Sequence, residues 1–250
     1  MTSANAPLTV RLIQCLVLCA LALRLVEAPA QTPAPPATAL EESLKAEIDR
    51  FVAVDRAIPP ASCQVLFVGS SSIVQWKDTL AADMAPMPVI NRGFGSSHIE
   101  YVNRWFDQIV APYRPRAIVF YAGENDLNAG KSVERVVADF DGFMERKTRA
   151  LGNTPVYFIS LKPSKARITQ FPQQTEVNEA IRRRAAERTD LHFIDVVPGM
   201  LDGGKPKEIF VADGLHMTRK GYEIWTREVR AALLPNTEGE ARSCRRGEKP

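Results

Sequence analysis

Short apolar runs alternate with longer amphipathic runs between residues 65 and 234, and no other feature of the sequence constrains its fold as strongly. Runs of three to six mostly apolar residues have the length of buried strands. They predict strands at 65–68, 89–91, 117–121, 156–161 and 192–196. Apolar residues at helical spacing predict helices at about 72–84, 98–110, 132–150, 173–188 and 218–234. Apolar strands separated by helices are typical of a parallel sheet covered on both faces. The sequence therefore predicts an α/β protein, a three-layer α/β/α sandwich around a five-stranded parallel sheet.

The N-terminal segment differs in kind from this pattern. Arg11 precedes the apolar run 12–25, and the small residues Ala28-Pro29-Ala30 follow at the spacing that a signal peptidase requires. The run is short for a membrane-spanning helix, and Arg24 interrupts it. We therefore interpret residues 1–30 as a cleaved secretory signal, with an uncleaved membrane anchor as the less favoured alternative. A secreted or periplasmic protein without stable membrane insertion is expected.

The remaining chain divides into three parts. Residues 31–57 combine a Pro/Ala-rich linker with an amphipathic helix, residues 58–235 are expected to form the folded domain, and residues 236–250 form a C-terminal tail. The formal net charge of +3 is too small to indicate a nucleic-acid partner. Outside the signal only Cys63 and Cys244 remain, and they can pair in an oxidising compartment. Their number and spacing do not resemble a zinc framework.

Polar residues that are unusual beside buried strands follow the predicted strands. The stretches are Gly-Ser-Ser-Ser at 69–72, NRGFGSSH at 91–98, AGEND at 122–126, KPSKAR at 162–167 and DGLH at 213–216. In an open parallel sheet, ligands bind beyond the carboxyl ends of the strands. The sequence therefore predicts a functional site at this edge of the sheet.

The residue types at this edge fit nucleophilic catalysis. A serine hydroxyl needs a base to remove its proton, and histidine is the usual base at neutral pH. The histidine needs a partner that fixes its tautomer, and Asp213 with His216 can supply that pair. A tetrahedral oxyanion needs preorganised donors, for which the amide of Asn125 is suited. Each element alone is a weak signal, but together they indicate a serine hydrolase.

The set resembles the SGNH, or GDSL-like, hydrolases, a family that includes platelet-activating-factor acetylhydrolases and many bacterial esterases. Gly69-Ser70-Ser71 stands where the family has Gly-Asp-Ser, which implies that Ser71 is the nucleophile and also contributes to the oxyanion hole. Gly123-Glu124-Asn125-Asp126 matches the block Gly-x-Asn-Asp and implies that Asn125 is an oxyanion donor. Asp213-Gly214-Leu215-His216 matches the block Asp-x-x-His, which implies that His216 is the base and Asp213 its orienting partner.

Two positions depart from the family pattern. Ser70 replaces the usual Asp, which is not a member of the triad. Ser96 occupies the place of a glycine whose backbone N–H contributes to the oxyanion hole. A backbone donor survives this change if the backbone angle tolerates a side chain.

The resemblance implies a flavodoxin-like fold, no cofactor, no metal, and hydrolysis of a carboxylic ester through an acyl-enzyme intermediate. The expected substrate is a small-molecule, glycan or lipid ester. A carbohydrate O-deacetylase or a lipase on the same triad is the alternative within enzymes. The alternative of another class is a non-catalytic flavodoxin-like binding module in which the serines hold a phosphate or a flavin. His98 and His192 are expected to be structural, although His98 opens a predicted helix near the site.

Overall fold

A computed structural model describes residues 37–235 of the chain. The predicted signal at 1–30 and the tail at 236–250 lie outside the described residues, as does most of the Pro/Ala linker. Cys63 is disulfide-bonded, but Cys244 is not among the described residues, so its pairing with Cys63 stays a prediction. Across residues 37–235, none of the helices has the length and apolar character needed to cross a membrane.

The predicted five-stranded parallel sheet is confirmed. Its strands are β1 (Val65–Gly69), β2 (Val89–Gly93), β3 (Ala117–Tyr121), β4 (Val156–Ile159) and β5 (Leu191–Ile194). They lie in the order β2-β1-β3-β4-β5, and every neighbouring pair is parallel. The sequence placed the strands within two residues of these bounds. A small antiparallel hairpin, β6 (Leu201–Asp202) with β7 (Lys205–Pro206), was not predicted.

One long helix precedes the sheet, and the other helices follow its strands. They are α1 (Ala37–Ala57), α2 (Ser71–Val74), α3 (Lys77–Met84), α4 (Ile99–Arg104), α5 (Phe106–Ile109), α6 (Glu124–Asn128), α7 (Val133–Leu151), α8 (Phe171–Ala186), α9 (Val197–Met200) and α10 (Arg219–Leu233). Short 3₁₀ turns occupy Ala111–Tyr113 and Lys165–Gln170.

Two helices that the sequence predicts as continuous are divided. The helix predicted at 72–84 forms α2 and α3, and the helix predicted at 98–110 forms α4 and α5. Trp105, at the second break, has φ −100° and ψ 17°, outside helical geometry. Its ring stacks on Tyr101 and meets Phe94 edge-on, so tertiary packing overrides the helical periodicity at this point.

Successive residues of β3 show how the sheet is covered on both faces. Side chains alternate across a strand, and Phe120 packs against Phe140 and Phe143 of α7. Tyr121 instead packs against Trp225 of α10, with ring centroids 4.7 Å apart. Burying one such large side chain contributes about 1.5–3 kcal/mol. The apolar faces of α7 and α10 therefore dock on opposite sides of the sheet and give the three layers.

The end of β1 requires a glycine. Gly69 has φ +138°, and a Cβ at this position would lie 1.9 Å from the carbonyl oxygen of Tyr121. The N–H of Ser70 donates to the same oxygen at 2.9 Å. The chain therefore leaves β1 in close contact with β3 and enters α2 at a fixed point.

Candidate active site

Ser71 is the first residue of α2, immediately beyond the tight exit from β1. Its Oγ lies 2.8 Å from Nε2 of His216, although the two residues are 145 positions apart in the sequence. Nδ1 of His216 lies 2.6 Å from Oδ2 of Asp213. The structure thus joins three of the predicted site residues in one chain of hydrogen bonds.

A tight loop before α10 carries Asp213 and His216. The N–H of Val211 donates to the carbonyl of His216 at 2.9 Å, and the N–H of Gly214 donates to the carbonyl of Val211 at 2.9 Å. Gly214 adopts φ +66°, the left-handed region that favours glycine. Because backbone bonds close the loop, the backbone holds Asp213 and His216 close enough for their side chains to bond to each other.

Asp213 is held in its ionised form. One carboxylate oxygen, Oδ1, accepts the backbone N–H groups of Leu215 at 2.8 Å and His216 at 2.9 Å. Partial burial raises the pKa of Asp213, but the hydrogen bond from His216 and the two backbone N–H groups outweigh it and lower the pKa below 3.8. An ionised carboxylate accepts the proton of Nδ1, which leaves Nε2 free to accept the hydroxyl proton of Ser71.

Asn125 lies at the same edge, in the first turn of α6 beyond β3. Its Nδ2 donates to the carbonyl of Ser97 at 3.0 Å, and its Oδ1 accepts a bond from Nη1 of Arg167 at 2.9 Å. The amide therefore connects the loop after β3 to the loop after β2.

Ser96 lies in the loop after β2 with φ +53°, and its side chain is exposed. Its left-handed backbone accounts for the glycine that the family pattern has at this place. Within residues 37–235, no hydrogen bond involves the N–H of Ser96 or the N–H of Ser71. The first N–H groups of a helix lack intrahelical partners, so Ser71 has a free donor by position.

A buried ionic network beneath the site was missed by the sequence reasoning. Nζ of Lys162 is buried and lies 2.6 Å from Oε2 of Glu124. It also lies 3.2 Å from both the hydroxyl of Tyr121 and Oγ of Ser72, the neighbour of Ser71. The signal in the sequence was a lysine directly after the predicted fourth strand and a glutamate three residues after the third. No pattern indicated that they pair.

The other histidines lie apart from the hydrogen-bonded chain. His192 stacks on Tyr157 with ring centroids 4.5 Å apart, and His98 packs on Tyr101 at the start of α4. Across the described range, no group of three or more histidine, cysteine, aspartate or glutamate side chains is arranged to hold a metal ion. The expectation of a metal-free site stays a prediction.

Comparison with known proteins gives one family match and many structural matches. Residues 63–224 match the model of the GDSL-like Lipase/Acylhydrolase family. No curated protein sequence matches the chain significantly.

Three solved structures illustrate the shared fold. A proposed platelet activating factor from Streptococcus pneumonia has 18% identity and a TM-score of 0.70, over 78% of this chain and 95% of that one. A GDSL-like lipase from Bacteroides thetaiotaomicron VPI-5482 has 18% identity and a TM-score of 0.64, over 75% and 97%. A carbohydrate esterase family 3 protein from Talaromyces cellulolyticus has 15% identity and a TM-score of 0.57, over 71% and 99%. At these identities the likeness establishes the fold.

Proposed function

The chain belongs to the GDSL-like lipase/acylhydrolase family, and we propose that it is a serine hydrolase that cleaves carboxylic esters through an acyl-enzyme intermediate. The family supports hydrolase and esterase chemistry. The observation that carries the finer proposal is the continuous chain of hydrogen bonds from Asp213 through His216 to Ser71, at 2.6 and 2.8 Å.

In the proposed first half-reaction, Oγ of Ser71 attacks the ester carbonyl while Nε2 of His216 takes the hydroxyl proton. The imidazolium that forms is stabilised by Asp213 across the bond of 2.6 Å. His216 then protonates the leaving alkoxide, and Ser71 retains the acyl group. In the second half-reaction a water attacks the acyl-enzyme while His216 takes a proton from it. The bond between Oγ of Ser71 and the acyl carbon then breaks, the carboxylic acid leaves, and His216 returns the proton to Oγ.

The oxyanion is proposed to bind the N–H groups of Ser71 and Ser96 together with Nδ2 of Asn125. Three features support this assignment: the backbone donors have no other hydrogen bond among the described residues, Nδ2 has two hydrogens, and Ser97 takes one of them. Donors that are fixed before the reaction stabilise developing charge without a reorganisation cost.

A carbohydrate O-deacetylase or a lipase would use the same residues, because the triad acts on the ester carbonyl and not on the groups beside it. Nitrophenyl esters of increasing acyl length, assayed beside acetylated sugars, separate these substrates. A binding module of the flavodoxin type would instead retain phosphate or flavin through purification and hydrolyse none of them.

The test of the nucleophile is labelling by a fluorophosphonate together with serine substitutions. Ser71→Ala should abolish labelling and lower kcat by more than about a thousandfold. Ser70→Ala is the matched control, because it removes a neighbouring hydroxyl that is buried and makes no hydrogen bond to the triad. A folded Ser71→Ala protein with near wild-type turnover would refute the proposal.

Secretion or periplasmic export remains part of the proposal, and its support is the composition of residues 1–30. N-terminal sequencing of the exported protein is expected to begin at Gln31. A start at or before Arg11 would show instead that the segment is retained as an anchor.

A further inference from the structure

Two hydrogen bonds determine which way the amide of Asn125 faces. Its Oδ1 lies 2.9 Å from Nη1 of Arg167, and its Nδ2 lies 3.0 Å from the carbonyl oxygen of Ser97. A guanidinium can only donate and a backbone carbonyl can only accept. A flipped amide would place two acceptors together at Ser97 and two donors together at Arg167. The orientation is therefore fixed by its partners.

Arg167 is itself held in place. Its side chain is only 12% exposed, and Nη1 lies 3.6 Å from Oε1 of Glu124. Glu124 accepts further bonds from Nζ of Lys162 at 2.6 Å, from the hydroxyl of Tyr121 at 2.5 Å and from the hydroxyl of Ser164 at 3.2 Å. The guanidinium thus lies against a carboxylate that four groups surround.

The charge of this carboxylate is maintained at neutral pH. Burial raises the pKa of Glu124, but attraction to Lys162 and Arg167 outweighs burial and lowers the pKa below its ordinary value. An ionised Glu124 attracts the guanidinium, which keeps Arg167 within reach of Asn125. Arg167 therefore links the buried network directly to Asn125.

The orientation matters because the two faces of a side-chain amide have opposite effects on an anion. With Oδ1 held by Arg167, a free hydrogen of Nδ2 is available to the oxyanion; with the amide reversed, a carbonyl oxygen would meet the negative charge. A donor aligned before the reaction is what makes an oxyanion hole effective. The bond from a charged guanidinium also polarises the amide and strengthens its N–H as a donor.

We propose that Arg167 is a positioning residue of the oxyanion hole, which holds the amide of Asn125 with its N–H toward the substrate and is in turn supported by Glu124 and Lys162. This inference rests on the proposed ester hydrolysis. It assigns a function to the loop after β4, which the sequence motifs leave without a role.

A double-mutant cycle with a small nitrophenyl ester tests whether Arg167 acts through Asn125. Arg167→Met keeps the length of the side chain and removes its donors, so kcat should fall about tenfold to a hundredfold with KM changed less than about twofold. In the background of Asn125→Ala, the same substitution should change kcat less than about twofold, because the group it positions is gone. Arg167→Lys restores one charged donor and should recover part of the loss.

Arg184→Met is the matched control. It removes an arginine that binds Asp141 through two bonds, at 2.6 and 2.8 Å, between α8 and α7. It should leave kcat unchanged even if the melting temperature falls. Equal losses of kcat from Arg167→Met in the wild-type and Asn125→Ala backgrounds would overturn the proposal. A rise in KM with kcat unchanged would also overturn it, because Arg167 would then be a ligand for substrate.

NMR spectroscopy tests the positioning role of Arg167 separately from the proposed ester hydrolysis. The side-chain ¹H–¹⁵N signals of Asn125 should exchange slowly in the wild type and broaden or exchange faster in Arg167→Met, with or without turnover. If the wild type neither hydrolyses esters nor reacts with fluorophosphonate, the proposed function fails, and these signals still decide the positioning role. Unchanged signals in a folded Arg167→Met protein overturn it.

Discussion

Asp213→Asn is the most discriminating single substitution at this site, because the backbone decides how the new amide must lie. Oδ1 accepts two backbone N–H groups, at 2.8 and 2.9 Å. The carbonyl oxygen of the amide has to occupy that place, since an NH₂ group there would meet two donors. The NH₂ group then takes the place of Oδ2, which lies 2.6 Å from Nδ1 of His216.

The consequence is a change of tautomer. Because the NH₂ group donates to Nδ1, the imidazole proton must reside on Nε2, which faces Oγ of Ser71 at 2.8 Å. A protonated Nε2 cannot remove the hydroxyl proton. The expected loss in kcat is about 10⁴-fold, which is about 5.5 kcal/mol at about 1.4 kcal/mol for each factor of ten.

Stability should hardly change, which makes the prediction specific. The side chain of Asp213 is 45% exposed, and the amide keeps both backbone bonds. A change within about 0.5 kcal/mol is expected for such a surface position. Asp202→Asn, the same chemical change at an exposed residue of the small hairpin, serves as the control.

The assay measures kcat and melting temperature on one preparation, with the tautomer of His216 read from its ¹⁵N shifts. The expected spectrum has the proton on Nδ1 in the wild type and on Nε2 in Asp213→Asn. A stable variant that keeps more than about a tenth of the wild-type kcat, or a proton that stays on Nδ1, refutes the reasoning.

Three further predictions follow from the same structure. Asn125→Ala should lower kcat about a hundredfold or more with little change in KM. Asn125→Asp should lower kcat at least as much, because it places a carboxylate where an anion forms. An unchanged kcat in either folded variant would show that Asn125 is not part of the site. Exhaustive chelation should leave ester hydrolysis intact, whereas a loss restored only by a divalent ion would reassign the Asp–His pair as a metal site. Asp190 binds the buried Lys147 at 2.5 Å. Burial raises the pKa of Asp190, but hydrogen bonds from Arg188 and Lys147 outweigh burial and lower the pKa from 3.8 to about 2. The contribution of ionised Asp190 to stability is present above pH 3.8 and is lost as the pH falls toward about 2. Asp190→Asn should therefore lower the melting temperature at pH 7. The difference in melting temperature between variant and wild type should disappear over that acid range.

The sheet could be predicted from the sequence because each strand is a short, separate apolar run. When helices cover both faces of a sheet, the strands are apolar on both sides, so polar residues do not alternate with apolar ones and do not interrupt the runs. The carboxyl ends of parallel strands share an edge, so the sequence could group Ser71 and Asn125 there and predict that the segment after the fifth strand brings His216 to the same edge. Their individual roles came from the resemblance to a family, since spacing alone left three serines as equal candidates.

The ionic network could not be predicted in the same way. Glu124 and Lys162 are 38 positions apart, and charged residues at strand ends are ordinarily solvated. Only the packing of neighbouring strands brings them together. Arg167 could not be predicted for a related reason, because its partners Glu124 and Asn125 follow a different strand, β3. Local patterns specify elements, whereas pairs between elements depend on the assembled sheet.

The order β2-β1-β3 has a consequence for engineering the substrate range. The proposed nucleophile, Ser71, follows the central strand of these three, and the two proposed oxyanion contributors, Ser96 and Asn125, follow the strands on either side. Neighbouring strands are about 4.8 Å apart, so the sheet sets the distance between the points at which the chain leaves these three strands. A library confined to other residues of the loops after β2 and β4, which keeps Gly69, the ends of these three strands, Ser96, Ser97, Lys162, Ser164 and Arg167 unchanged, can reshape the entrance while the proposed reacting atoms keep their places.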